Sequence, residues 1–149
     1  MKLSTRSRYG TRALIDIAIN SNGKPVLLRD VARRQEISTM YLEHLITPLI
    51  SAGIVRSTRG AKGGVWIAKE LKDIRLTEVI QLLEGSLAPV ECVDDPKYCR
   101  RYEACVTREV WTELKRVMTA VLGGTTLQEL VERQKKKLEQ VPSASMYYI

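Results

Sequence analysis

The sequence lacks several residue types and has no long apolar segment. Its 149 residues include no Phe, one His and three Cys, and aromatic residues make up 5% of the chain. Apolar runs such as residues 117–122 are short, whereas a membrane-spanning helix needs about 20 residues. The odd cysteine count argues against a closed disulfide framework, and no apolar segment follows the basic N-terminus as in a secretory signal. We therefore predict a cytoplasmic protein without a membrane span.

The excess positive charge lies in the first half of the chain. Residues 1–75 hold 14 Lys and Arg against 6 Asp and Glu, a net charge of +8. Residues 76–149 hold 10 against 11, a net charge of −1. This asymmetry predicts a polyanion-binding N-terminal unit joined to a neutral C-terminal unit, although a solvated basic face would give the same charge.

The first half has the element order of a winged helix-turn-helix. Apolar spacing predicts helices at 8–20, at 28–34 and from Ser38 or Thr39 to about residue 52. Two β-prone stretches at 54–57 and 65–68 follow, joined by a Gly-rich basic loop. Helices followed by a hairpin predict a mainly α-helical fold with a small β-hairpin wing.

The second half predicts a helix at 77–84 capped by Thr77, a loop at 86–103, and helices at 106–122 and 126–139. Gly123-Gly124 is expected to end the helix at 106–122. That long helix has more apolar surface than a small winged domain can bury, so we expect it to pair with a second copy. The alternative is a core helix packed against the first helix.

These elements divide the chain into four parts. They are a DNA-binding domain at 1–84, a cysteine-containing loop at 85–105, dimerisation and C-terminal helices at 106–140, and a tail at 141–149.

In a helix-turn-helix, residues at the start of the second helix of the motif contact base edges in the major groove. The residues predicted for this role are Ser38, Thr39, Met40, Glu43 and His44. Glu43 can accept a hydrogen bond from cytosine, and Thr39 or Tyr41 can hold a phosphate. An isolated His is also a metal-ligand candidate, but without a nearby Cys we expect His44 to face solvent or DNA.

Basic residues of the wing and the first helix extend this predicted surface. Arg59 and Lys62 at the wing tip can enter a minor groove or neutralise phosphate, and Arg8 adds a backbone contact. Taken singly, each is better explained as an ordinary solvated side chain. Together with the net charge, they favour DNA binding.

Cys92, Cys99 and Cys105 fall in one loop, separated by six and then five residues. Because no Cys-x-x-Cys pair occurs, thioredoxin-type chemistry and a zinc ribbon are disfavoured. Three thiolates near Arg100 and Arg101 suit an iron-sulfur cluster or a soft metal, which needs a fourth donor that the sequence does not obviously supply. Free thiols used for redox sensing, or inert cysteines, are the alternatives.

Four segments together resemble the family of bacterial winged-helix regulators that includes IscR, NsrR and CymR. They are Met-Lys-Leu-Ser-Thr-Arg-Ser-Arg-Tyr-Gly at 1–10, Ile-Ser-x-x-Tyr-Leu-Glu-x-Leu at 37–45, Arg-Gly-Ala-Lys-Gly-Gly at 59–64 and Thr-Thr-Leu-x-Glu-Leu at 125–130. The resemblance covers the whole length. It implies a homodimer that binds double-stranded operator DNA, with Glu43 at a base-contacting position and Arg59 at a minor-groove position.

The resemblance also implies that the three cysteines bind an iron-sulfur cluster, 2Fe-2S in IscR-like members and commonly 4Fe-4S in NsrR-like ones. The sequence departs from IscR-like members in its first cysteine gap and in having Arg108 where they have a His ligand. It has Arg8 where NsrR-like members can use an acidic ligand. The remaining fourth-ligand candidates are an exogenous group or one of Glu91, Asp94, Asp95, Glu103 and Glu109.

The chain ends with Met146, Tyr147, Tyr148 and Ile149, an aromatic pair followed by an aliphatic residue with a free carboxylate. Such an end suits a carboxylate-binding pocket of a partner. It resembles the end of CymR and the Ile-terminated tail by which serine acetyltransferase enters the active site of cysteine synthase. The alternative is that these side chains fold back on the dimer's own surface.

The sequence therefore predicts a homodimeric DNA-binding transcription regulator that senses iron-sulfur cluster or redox status, with a 2Fe-2S cluster as the expected cofactor. A cluster-free regulator of cysteine metabolism that docks its tail into cysteine synthase is the alternative. We expect no enzyme, because no nucleophile-base arrangement, phosphate loop or paired-carboxylate motif stands out.

Overall fold

The computed structural model describes residues 3–141. Within this range the chain forms six α-helices and one two-stranded antiparallel hairpin, which confirms the predicted fold class. The elements are α1 Thr5–Asn20, α2 Leu28–Gln35, α3 Thr39–Ser51, β1 Val55–Thr58, β2 Gly64–Ile67, α4 Leu76–Glu84, α5 Val106–Gly124 and α6 Leu127–Gln140.

One apolar core joins both halves of the chain. Leu14 and Ile17 of α1 are completely buried in the same cluster as Leu42 of α3. Leu127 and Val131 of α6 belong to this cluster as well. Since full burial of one such side chain contributes about 1.5–3 kcal/mol, the cluster holds α6 firmly against the winged part. The predicted domain boundaries stay predictions.

A tight turn joins α2 to α3. Glu36 ends α2 in the left-handed conformation, with φ 57°, and its N–H donates to the last turn of that helix. The hydroxyl of Ser38 then accepts a 3.1 Å hydrogen bond from the N–H of Tyr41, which caps α3 as predicted. Pro48 lies inside α3, where it removes one backbone donor close to the helix end.

The hairpin forms the predicted wing, defined as β1, β2 and the loop between them. Val55 pairs with Ile67 at its base, and Val65 also bridges Val26 through two 2.8 Å backbone hydrogen bonds. A Cβ on Gly64, which has φ 151°, would lie 2.5 Å from the Val26 carbonyl oxygen. Only glycine at position 64 therefore permits the Val26 backbone to approach the hairpin this closely. The sequence did not predict this contact.

Three of the predicted helix starts, those of α1, α4 and α6, differ from the structure. α1 begins at Thr5, three residues earlier than predicted, because the hydroxyl of Ser4 accepts a 3.1 Å hydrogen bond from the N–H of Arg6. Thr77 does not cap α4, which begins at Leu76; its hydroxyl instead donates to an α5 carbonyl. Thr126, predicted as the first residue of α6, is instead its N-cap, in a reciprocal capping box with Glu129.

α5 is an exposed helix that packs against α4. It continues through Gly123 and Gly124, where the sequence predicted a break. None of its residues is buried, and its four valines are exposed: Val106 73%, Val110 59%, Val117 43% and Val121 64%. In the second half of the chain, α4 and α6 are the helices that pack on α1, so the alternative of α5 as a core helix against α1 is wrong.

None of the helices between residues 3 and 141 is both long and apolar enough to cross a membrane.

Candidate nucleic-acid interface and cysteine loop

The first two turns of α3 present polar side chains to solvent. Ser38, Thr39, Met40, Glu43 and His44 are all exposed, and 70% of Met40 is accessible. The helix N-terminus adds unpaired N–H groups and the positive end of the helix dipole, which suit a phosphate. This end of α3 can therefore approach a polyanion without displacing core side chains.

Tyr41 differs from its neighbours because it is tied into the protein. Its hydroxyl donates a 3.1 Å hydrogen bond to Oγ1 of Thr5, and its ring meets Tyr9 edge-on with centroids 6.3 Å apart. The guanidinium of Arg12 lies 5.2 Å from the Tyr9 centroid. Tyr41 thus joins the start of α3 to the start of α1, and its predicted phosphate contact stays a prediction.

The predicted basic residues are exposed on two other elements. Arg59 and Lys62 lie in the loop between β1 and β2, and Arg8 lies in the first turns of α1. The wing tip is a tight turn in which the N–H of Gly63 donates to the Gly60 carbonyl at 2.9 Å. A Cβ on Gly63 would lie 2.6 Å from a backbone oxygen, so the turn requires glycine there and holds its two cations outward on a short loop.

The cysteine loop, residues 85–105, contains three short 3₁₀ turns where the sequence predicted an irregular loop. These are Glu91–Val93, Pro96–Tyr98 and Tyr102–Ala104. Cys92 lies in the first turn, Cys99 follows the second, and Cys105 follows the third as the N-cap of α5. All three are free, half-buried thiols.

Two contacts tie the cysteine loop to α5. The carboxylate of Asp94 accepts a 2.5 Å hydrogen bond from Nζ of Lys115 and another from the hydroxyl of Ser86. These bonds, that of Lys115 first, hold the pKa of Asp94 below its ordinary value. Arg108 donates from Nε to the Tyr102 carbonyl at 2.9 Å, and its guanidinium carbon lies 3.9 Å from the Tyr102 ring centroid.

Cys105 has a polar side chain next to its thiol. Its Sγ lies 3.2 Å from Oγ1 of Thr107. The hydrogen bond with Thr107, followed by that from the N–H of Arg108, lowers the pKa of Cys105. A thiol at a helix N-terminus ionises more readily, and the thiolate is the form that binds metals.

The three cysteines suit an iron-sulfur cluster, although the described conformation does not bring them together at one point. Three free thiols in one loop supply the soft ligands that iron clusters use. Within residues 3–141, no three or more His, Cys, Asp or Glu side chains stand close enough to hold a metal. Among the fourth-ligand candidates, Asp94 is engaged with Lys115. Arg108, which replaces the His ligand of IscR-like members, is a cation that donates to the Tyr102 carbonyl.

Sequence reasoning missed two residues that connect these regions. The N–H of Ser4 donates a 2.8 Å hydrogen bond to Oε1 of Glu84, across 80 residues of sequence. Thr5 contacts Tyr41 across 36 residues. No local sequence pattern predicts such contacts. The one available signal was Ser4, because serine is favoured at helix N-caps. The four predicted partner-binding residues of the tail, Met146, Tyr147, Tyr148 and Ile149, lie outside the described residues.

Several known proteins are similar to this chain over most of its length. A family model described as "Rrf2: Iron-dependent Transcriptional regulator" matches residues 3–133. Protein rrf2 of Nitratidesulfovibrio vulgaris is 46% identical over 131 residues, covering 88% of this chain and 87% of that protein. The transcriptional regulator CymR of Bacillus subtilis is 36% identical over 149 residues and 100% of both chains.

Solved structures give the same result. The structure of CymR, "the Global Cysteine Regulator of B. subtilis", has a TM-score of 0.73 and 34% identity, covering 89% of this chain and 98% of that one. That of T. potens IscR has a TM-score of 0.75 and 36% identity, covering 99% and 97%. These relatives are regulators rather than enzymes. The family match over most of the length shows that this chain belongs to the Rrf2 family of transcriptional regulators.

Proposed function

We propose that the protein is a homodimeric transcription regulator that binds operator DNA through α3 and the wing and responds to an iron-sulfur cluster, 2Fe-2S, or to redox state through its three cysteines. The observation that carries the DNA-binding part is the exposed, capped start of α3 in a winged helix-turn-helix with two cations at the wing tip. We place this activity in the cytoplasm, where bacterial operators lie.

The contacts divide into base recognition and phosphate neutralisation. Exposed Glu43 suits an amino group at a base edge, such as that of cytosine, and exposed Met40 suits an apolar contact. Arg8, Arg59 and Lys62 are exposed cations on α1 and the wing, and each phosphate they neutralise releases a counterion. Binding is therefore expected to weaken steeply with salt.

Arg59→Ala should weaken operator binding by about tenfold and reduce the slope of log affinity against log salt by about 1. The measurement is a fluorescence-anisotropy titration at several salt concentrations, with a duplex selected by the wild-type protein from a random pool. Lys72→Ala is the matched control, because Lys72 is an exposed cation on the 3₁₀ turn Leu71–Asp73 outside the proposed interface. Full affinity and an unchanged slope for Arg59→Ala would refute this wing contact.

The exposed valines of α5 support the homodimer. An apolar face of this kind on a helix without buried residues is typical of a protein–protein interface. A twofold axis would place the same face of α5 from each copy in contact. It would also match two copies of α3 to operator half-sites about 34 Å apart.

Cys92, Cys99 and Cys105 would hold the iron-sulfur cluster, which supplies a redox-active centre that is lost under oxidation or iron limitation. The chain's own residues position the loop: Lys115 holds Asp94, and Arg108 holds Tyr102 against α5. Because the cysteine loop joins α4 to α5, a change in its conformation acts on both helices. Iron and sulfide analysis of protein purified without oxygen tests this part, and absence of both together with absence of visible absorption bands would overturn it.

The CymR match favours a second candidate, because it extends over the whole of both chains and so includes the tail. In this alternative the protein is a cluster-free regulator of cysteine metabolism whose tail docks into cysteine synthase. Aromatic side chains before a terminal Ile carboxylate suit a carboxylate-binding site.

Deleting Tyr148 and Ile149 should then reduce binding to purified cysteine synthase by more than about 100-fold, because two side chains are lost and the terminal carboxylate moves to Tyr147. Isothermal titration calorimetry measures this loss. The double change Ser143→Ala and Ser145→Ala is the control, since it keeps the terminal four residues. Equal binding by the truncated and full-length proteins would exclude docking through the tail.

A further inference from the structure

The end of α4 lies against the start of α1. Glu84 is the last residue of α4, and its Oε1 accepts the 2.8 Å hydrogen bond from the N–H of Ser4, the N-cap of α1. A carboxylate there is also favoured by the positive end of the α1 dipole. Burial of this carboxylate acts to raise its pKa, but the hydrogen bonds it accepts outweigh burial, so the pKa of Glu84 lies below its ordinary value. Glu84 is therefore a charged anchor for the α1 N-terminus.

Close packing next to this anchor leaves α1 little freedom. A Cβ on Gly10 of α1 would lie 2.5 Å from Cδ1 of Leu83, so the two helices approach as closely as glycine allows. Leu83 precedes Glu84, and Gly85 begins the cysteine loop directly after it. Contacts at the boundary between α4 and the cysteine loop therefore fix the position of the α1 N-terminus.

The start of α3 depends on that same end of α1. The hydroxyl of Tyr41, in the first turn of α3, donates to Thr5, the first residue of α1. Beside this contact lies a cleft of about 460 Å³, whose lining includes Tyr41, His44 and Leu83. At the edge of this cleft, the Thr5–Tyr41 hydrogen bond and the edge-on contact between Tyr9 and Tyr41 both join the first α3 turn to α1.

We infer that Glu84 is a positioning residue for operator binding. It acts through Ser4 and Thr5 on Tyr41, and so connects the start of the cysteine loop to the DNA-contacting turn of α3. This inference rests on the proposed role of α3 in binding DNA. The Glu84–Ser4 and Thr5–Tyr41 hydrogen bonds are the contacts through which a change in the cysteine loop would alter operator affinity.

The test combines operator affinity with the methyl NMR signals of two methionines. Met118 lines a small cavity with Glu84, whereas Met40 lies exposed in the first turn of α3. Glu84→Ala should shift both signals and weaken binding to the selected duplex by about tenfold, because it removes a charged hydrogen bond. Glu84→Gln keeps an acceptor for the Ser4 N–H and should recover most of that affinity.

Glu78→Ala is the matched control, because Glu78 is another α4 carboxylate, bonded at 3.1 Å to Nζ of Lys69 rather than to α1. It should leave the Met40 signal and the affinity unchanged. A purely local role for Glu84 would shift Met118 alone, with wild-type affinity, and would overturn the inference.

Thr5→Val provides a second route that leaves the Glu84–Ser4 bond intact, in case Glu84→Ala does not fold. It should shift Met40, weaken binding by about threefold, and add nothing in the Glu84→Ala background. Additive losses, or an unmoved Met40 signal, would contradict the proposed connection. If DNA binding through α3 and the wing were itself wrong, Glu43→Ala and Arg59→Ala would also bind the duplex with wild-type affinity. That result separates failure of the proposed function from failure of the Glu84 inference.

Discussion

Cys99→Ala is expected to remove nearly all iron and sulfide from protein purified without oxygen. Cys99 follows the second 3₁₀ turn of the cysteine loop and is one of three thiols available as cluster ligands. Losing one of three thiolates leaves a donor set that other side chains of the loop do not complete, so retention should fall by more than about tenfold. Metal and sulfide analysis with visible absorption spectroscopy measures the loss.

The fold should survive this substitution. Cys99 is outside the apolar core, so thermal unfolding of Cys99→Ala should match that of the wild-type protein purified without metal. Lys97→Ala is the control in the same loop, because the Lys97 side chain is exposed and only its backbone N–H bonds to Asp95. Equal iron and sulfide in wild type, control and Cys99→Ala would show that the cysteines do not hold a cluster.

The double change Val110→Asp and Val121→Asp is expected to convert the dimer to a monomer and reduce operator affinity by more than about 100-fold. Both valines are large exposed apolar side chains on the same face of α5. In a twofold interface each change occurs twice, so four carboxylates would enter an apolar contact in which each lost valine contributed about 1.5 kcal/mol or more. Sedimentation velocity and operator titration measure the two effects.

Thr112→Asp is the control for this experiment. Thr112 is exposed on α5 but lies roughly 200° around the helix from Val110, so the added charge faces away from the valines. It should remain dimeric and bind the operator. A dimeric Val110→Asp and Val121→Asp protein would place the interface elsewhere.

The sequence predicted those parts of the fold that depend on local patterns. Helical periodicity located α1, α2 and α3, and Gly-rich basic residues between two β-prone runs located the wing. Ser38 and Thr126 are polar residues directly before apolar helical faces, and both are caps in the structure. Such signals lie within a few residues of each other, so a single sequence is enough to recognise them.

Contacts between distant residues could not be predicted in this way. The Val26–Val65 bridge and the Glu84–Ser4 bond each join separate elements, and their geometry depends on how whole helices pack. The early start of α1 differs from these, because its N-cap Ser4 accepts a local hydrogen bond from the N–H of Arg6. The Glu84–Ser4 bond is also part of the connection that we propose between the cysteine loop and α3.

The candidate site was predictable in its residue types more than in its arrangement. Composition and loop position indicated three thiols together, but not the short turns that separate Cys92, Cys99 and Cys105. Nor did the sequence show that Asp94 pairs with Lys115 and so is engaged elsewhere. The fourth cluster ligand therefore depends on a loop conformation that local sequence does not determine.

In the function proposed above, the state of the cysteine loop sets operator affinity. This coupling is tested by comparing the affinity of one anaerobic preparation for the selected duplex before and after iron is removed with a chelator, at constant salt. We expect the affinity to change by about tenfold or more, within the usual range of coupling between sites. Identical affinities before and after complete iron removal would show that the loop and the operator site are not coupled.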